Sequence, residues 1–174
     1  MRNWLHWSYP ALALGAALQA ATVILGLLGW DWPLITALLV GSRHFVLFGL
    51  PMAMTQVAGS PARHRRAAPV LGILGITYVV EFFGWAFGFP VGAALAVLHG
   101  LCWLGLFAAL AREWGSLLSW LAAGAMLAAG VAHLSGALFL GQGLAIASFV
   151  LGAVVLSDAS RRSLTSTERE RIKG

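Results

Sequence analysis

Long apolar stretches alternate with short polar or turn-forming breaks along the whole chain. Residues 9–29, 32–54, 69–88, 90–111, 114–134 and 137–157 are each mostly apolar. A helix rises 1.5 Å per residue, so about 20 such residues cross the roughly 30 Å hydrocarbon layer of a bilayer. The breaks fall at Trp30-Asp31-Trp32, Gly59 to Arg66, Phe89-Pro90, Arg112-Glu113 and Ser135-Gly136. Pro90 suits the first turn of a helix, where its missing N–H would be unbonded anyway. The pattern predicts an all-α fold, an integral membrane bundle of six transmembrane helices over residues 1–157, followed by a basic tail over 158–174. The first stretch carries small residues at Ala17-Leu18-Gln19-Ala20, as a cleaved leader would, but it runs on past them and reads as the first membrane helix. In the tail, Thr165-Ser166-Thr167-Glu168 has capping-box spacing and predicts a short solvated helix or a disordered end.

Composition names the solvent. With 60% hydrophobic and 10% charged residues, the chain has too little polar surface for a water-soluble fold of 174 residues. Its excess of eleven Lys plus Arg over six Asp plus Glu would suggest nucleic acid if spread over a soluble surface. Here nearly all the basic residues sit in the breaks and the tail, so the expected partner is the lipid bilayer and not nucleic acid. Positive charge in short loops marks the cytoplasmic side. Six crossings put Arg2, Arg63, Arg65, Arg66, Arg112 and the tail on one side, ten of the eleven basic residues, and leave Asp31 on the other. That partition predicts an inner (plasma) membrane protein with both termini in the cytoplasm. A five-helix reading would place the basic tail outside. Trp7, Trp30, Trp32 and Trp114 fall near helix ends, where aromatic rings anchor at the interface. Gly84/Gly88 and Gly124/Ala128 recur at four-residue spacing, which suits close helix packing within the bundle or between copies. The single cysteine, Cys102, excludes an intrachain disulfide or a thiolate metal cage.

Candidate chemistry lies inside the spans. An ionisable side chain at bilayer depth costs about 2.5 kcal/mol or more unless it is paired or faces a cavity, so each is a functional candidate. Arg43 and His44 lie roughly 16–18 Å below the outer boundary at Trp32, His99 roughly 13 Å below Pro90, and Glu81 roughly 10 Å below Gly88. A guanidinium cannot discharge by losing a proton, and Glu81 is the only carboxylate within a span, so the two are expected to pair. His44 and His99 lie on different helices at similar depth, a placement that could supply both axial ligands of a haem, with His133 able to replace either. The same imidazoles could instead hydrogen-bond to nearby carbonyls or line a proton or ion path. Tyr78, Glu81 and Trp85 share one helical face, as do His99, Cys102 and Trp103, and these stripes read either as packing or as the walls of a ligand pocket. No metalloprotease, phosphate-loop or Gly-x-Ser-x-Gly motif occurs, which argues against hydrolase and nucleotide chemistry.

Arg43-His44-Phe45-Val46-Leu47-Phe48-Gly49-Leu50, followed by Met52, Met54 and the basic loop at Pro61 to Arg63, resembles part of the NnrS family. Those are multi-span haem- and copper-containing membrane proteins linked to nitric oxide stress, and the match of His44 and Gly49 to a His-x-x-x-x-Gly element implies a ligand role for His44. Glu81-Phe82-Phe83-Gly84 with Gly88-Phe89-Pro90-Val91-Gly92 resembles an element of membrane carotenoid hydratases, which implies that Glu81 is an acid or base acting on a polyene. The leading expectation is a redox or hydrophobic ligand, haem first, bound by Arg43, His44, Tyr78, Glu81, His99 and Trp103. The alternatives are a non-catalytic subunit packed against partner subunits or a second copy, and an enzyme acting on an isoprenoid lipid.

Overall fold

Six helices follow one another in the computed structural model, which describes residues 7–59, 66–87 and 92–173. They are α1 (Ser8–Leu27), α2 (Trp32–Gly59), α3 (Ala67–Phe87), α4 (Gly92–Trp114), α5 (Leu117–Leu134) and α6 (Leu138–Lys173). Their boundaries lie within a few residues of the apolar stretches, except that α6 continues unbroken through the expected tail. Among the described residues, Ser8–Leu27, Trp32–Leu50, Leu117–Leu134 and Leu138–Asp158 are long and apolar enough to cross a membrane, and Pro69–Gly84 is a shorter apolar stretch. No strand occurs among the described residues.

Each helix packs on its neighbours in the chain, and α1 closes the ring by packing on α6. Glycine ends several helices, as expected where the terminal residue must adopt left-handed backbone. Gly29 (φ 70°) and Gly136 (φ 81°) follow α1 and α5. The chain turns back at once there, with Trp30 N–H donating to Leu25 O at 3.1 Å and Ala137 N–H to Ala132 O at 2.8 Å. Two short turns thus make two hairpins, α1–α2 and α5–α6.

Large rings fill the centre of the ring of helices. Trp103 and Phe107 of α4 are almost fully buried, with ring centroids 5.6 Å apart, and Trp103 meets Phe149 of α6 edge-on at 5.8 Å. Phe107 lies directly over Gly152, where any side chain would collide with its ring. At the α1–α2 crossing the backbones themselves approach: a Cβ on Gly49 would stand 2.8 Å from the Ser8 carbonyl oxygen. Such contacts replace the hydrophobic effect, which cannot drive one apolar helix onto another when the alternative neighbour is lipid. The outer surface is correspondingly apolar, with Ile76, Val97, Phe139 and Leu134 all mostly exposed.

The start of α3 is fixed by a residue distant in sequence. Glu113, near the end of α4, accepts hydrogen bonds at Oε1 from Arg66 N–H (2.8 Å) and Ala67 N–H (3.1 Å). A carboxylate there takes up the N–H groups of the residue before α3 and of its first residue, and complements the positive end of the helix dipole. Replacing Glu113 with Ala is expected to cost roughly 0.5–2 kcal/mol, and Glu113→Gln less, since the amide oxygen still accepts while the charge is lost. Thermal unfolding in detergent checks the order wild type, Glu113→Gln, Glu113→Ala; equal midpoints for all three would remove the cap from the account.

Candidate functional site

Polar side chains at mid-bundle depth meet across helices α2, α3 and α4. Tyr78 and Glu81 are three residues apart on α3, and His99 and Trp103 four apart on α4, so each pair projects from one helical face. Arg43 of α2 reaches that seam and donates from its Nη2 to Glu81 Oε1, making the expected ion pair. The pair is largely shielded, with side-chain exposures of 28% for Arg43 and 16% for Glu81.

The second oxygen of Glu81 faces α4. Its Oε2 lies 3.8 Å from His99 Nδ1, within reach of charge attraction but beyond a hydrogen bond. The His99 ring stacks on Tyr78, centroids 4.2 Å apart and planes 16° from parallel. Trp103 N–H donates to the Tyr78 hydroxyl oxygen at 3.4 Å. Arg43, Glu81, His99, Tyr78 and Trp103 therefore form one connected chain of contacts. Two of its buried atoms, Glu81 Oε2 and His99 Nε2, have no hydrogen-bond partner among the described residues.

Two other histidines have different surroundings. His44, one residue after Arg43, is exposed on the outside of α2 and its Nδ1 bonds to Val40 O at 2.7 Å. His133 near the end of α5 bonds through Nδ1 to Ala129 O at 2.8 Å, and its ring covers Gly141 of α6, where a Cβ would collide with it. A haem held between two imidazoles needs both to present a nitrogen to one space. The exposed His44 ring and the buried His99 ring do not share one environment, and among the described residues no group of three or more His, Cys, Asp or Glu is placed to hold a metal.

Uncharged polar residues, which a search for ionisable groups passes over, lengthen the seam. Ser42 donates to Gln19 Oε1 at 2.5 Å, joining α1 to α2 one residue from Arg43. Gln19 and Ser42 were legible as polar positions in apolar runs, but nothing in the sequence says that they face each other. Polar contacts thus link α1 to α2, α2 to α3 and α3 to α4. Across the bundle, Ser148 of α6 donates to the Ala122 carbonyl of α5 at 2.8 Å.

Compared with protein-family models, curated proteins and solved structures, the chain matches none. The site is therefore read from its own geometry.

Removing one member of a shielded ion pair strands the other, at a cost of roughly 3–5 kcal/mol, whereas replacing both with apolar residues is often neutral. The two single losses are not equivalent here. Glu81 left alone can discharge by taking up a proton, but Arg43 left alone stays cationic. Glu81→Met is therefore expected to destabilise more than Arg43→Met, and Arg43→Met/Glu81→Met to recover most of the loss. Denaturant titration of the three variants in detergent checks the order, and equal effects for the single variants would contradict the pairing.

Proposed function

We propose that this chain is a multi-span inner-membrane protein that holds a redox or hydrophobic ligand, haem before others, where Glu81 meets His99. The observation that carries this reading is the pair of buried atoms, His99 Nε2 and Glu81 Oε2, that have no hydrogen-bond partner among the described residues. An unsatisfied buried donor or acceptor costs about 1–3 kcal/mol, and native structures keep such groups where they serve chemistry or meet a ligand. A metal-bound imidazole commonly has its other ring nitrogen turned toward a carboxylate, and His99 has its Nδ1 toward Glu81. A haem there would be held by His99 through Nε2. Iron bound there would supply electron transfer or small-molecule binding, while Arg43 balances the charge of Glu81 and Tyr78 holds the imidazole plane. One ligand from this chain suffices for that arrangement, so His44 is not needed.

The same reading has all six helices cross the membrane with both termini in the cytoplasm. It is supported by the placement of ten of the eleven basic residues in breaks and tail on one side of that topology.

A second reading has its own support. Polar contacts join each successive pair among the first four helices, as a non-catalytic subunit held in register for partner subunits would require. An absorption spectrum of the protein purified in mild detergent separates the two. A Soret band that His99→Gln abolishes and His44→Ala leaves in place is the expected result. A colourless protein whose organic extract holds no stoichiometric quinone or polyene would overturn the ligand proposal and leave the structural one. Loss of the Soret band in His44→Ala would reassign the axial ligand.

A further inference from the structure

Glu81 occupies only part of the Arg43 side chain. A guanidinium carries five N–H donors in a planar fork. Among the described residues, the one hydrogen bond that Arg43 makes runs from Nη2 to Glu81 Oε1, and 28% of its side chain stays exposed. Nε and Nη1 are not among the buried atoms left without a partner, so they remain reachable from outside the seam. Leu39, Arg43 and Leu47 follow one another at four-residue spacing on α2, and each is partly buried. On α3, Glu81 stands between Val80 and Phe82, which are 45% and 47% exposed. The ion pair thus lies where the packed α2–α3 crossing meets the outer apolar surface.

Charge and depth narrow what can accept from those free donors. In the topology proposed above, Arg43 stands roughly 16 Å below the outer boundary at Trp32, far from either headgroup layer. Cationic donors left bare among apolar neighbours are costly, so an acceptor is called for. Glu81 already balances the charge of Arg43, and an anion would therefore bring an unpaired charge of its own. A carbonyl oxygen accepts the same N–H bonds and adds no charge. The ester carbonyls of a phospholipid are tied to its headgroup. A quinone instead carries its carbonyl oxygens on a ring with an apolar tail, free to sit at mid-depth.

We propose that Arg43 binds a carbonyl oxygen of one lipid-soluble quinone, which reaches it from the bilayer at the α2–α3 crossing. The ring and the first part of the tail lie along Leu39 and Leu47. The choice of a quinone among neutral carbonyl lipids rests on the redox reading above, whereas the demand for a neutral acceptor rests on Arg43 and Glu81 alone. The ion pair then has two tasks: Glu81 neutralises the guanidinium, and the rest of the guanidinium orients the quinone.

The test is a titration of the full chain in detergent with decylubiquinone, followed by quenching of tryptophan fluorescence and by infrared spectroscopy of the bound quinone. Saturation at one quinone per chain is expected, with a carbonyl stretch below that of the free quinone. Arg43→Met should weaken binding about tenfold, the factor that one hydrogen bond to a charged group supplies, and return the stretch to its free position. If that variant fails to fold, Arg43→Met/Glu81→Met, which strands no charge, takes its place with the same expected loss. Oleate, a carboxylate with an apolar tail, should not displace the quinone at equal concentration. Uptake that does not saturate, an unshifted carbonyl, unchanged affinity in the Met variants, or displacement by oleate would each overturn the proposal. A Soret band in a protein that takes up no quinone would overturn it too and leave the haem reading in place. Saturable uptake that depends on Arg43 in a colourless protein would support it and remove haem.

Discussion

A guanidinium set among apolar helices is the constraint on which the rest of this structure depends. Arg43 keeps its charge whatever surrounds it, because its proton cannot be surrendered in a protein. A counter-charge must therefore come from a neighbouring helix, and Glu81 meets that demand. The pairing fixes the rotation of α2 against α3, since a turn of either helix by one residue would swing a charge into lipid. It also determines what α4 presents, because the free side of the carboxylate faces His99. Register, rotation and the polar seam follow from one electrostatic requirement.

Packing on the far side of the bundle is of a different kind. Around α4 and α6 the contacts are between aromatic rings and glycine, and their fit rests on shape: Phe107 needs the bare backbone of Gly152 beneath it. Dispersion between closely fitted surfaces, and not release of water, holds helices together where every alternative neighbour is a lipid tail. The molecule is accordingly inverted with respect to a soluble protein, with its ion pair toward the interior and its exposed side chains apolar.

How much of this could be read from the residues depends on the range of the interaction. The six helices and most of their ends follow from local properties, namely apolar length and the breaks at Asp31 and Gly136, whereas the break expected at Arg112-Glu113 lies inside the last turn of α4, which runs on to Trp114. The Arg43–Glu81 pair was also legible, because only one carboxylate lay within a span to answer an otherwise isolated cation. The surroundings of His44 were not. It and Arg43 are adjacent in sequence, yet one step along a helix turns the side chain by roughly 100°, enough to separate an inward residue from an outward one when the rotation of the helix is unknown. For the same reason Gln19 gave no sign that it faces Ser42. Glu113 looked like part of a loop because its partners, Arg66 and Ala67, are distant in sequence and are reached through backbone N–H groups that no residue type reveals.

The unbroken course of α6 has a mechanical consequence. From Asp158 to Lys173 the helix advances a further 22 Å or so at its usual rise, beyond what is needed to span hydrocarbon. The backbone end of α6 thus stands more than two screening lengths from the end of its apolar stretch at physiological salt, where that length is about 8 Å. Electrostatic influence between the two ends of that extension is therefore screened, and its outer turns act as a stiff spacer.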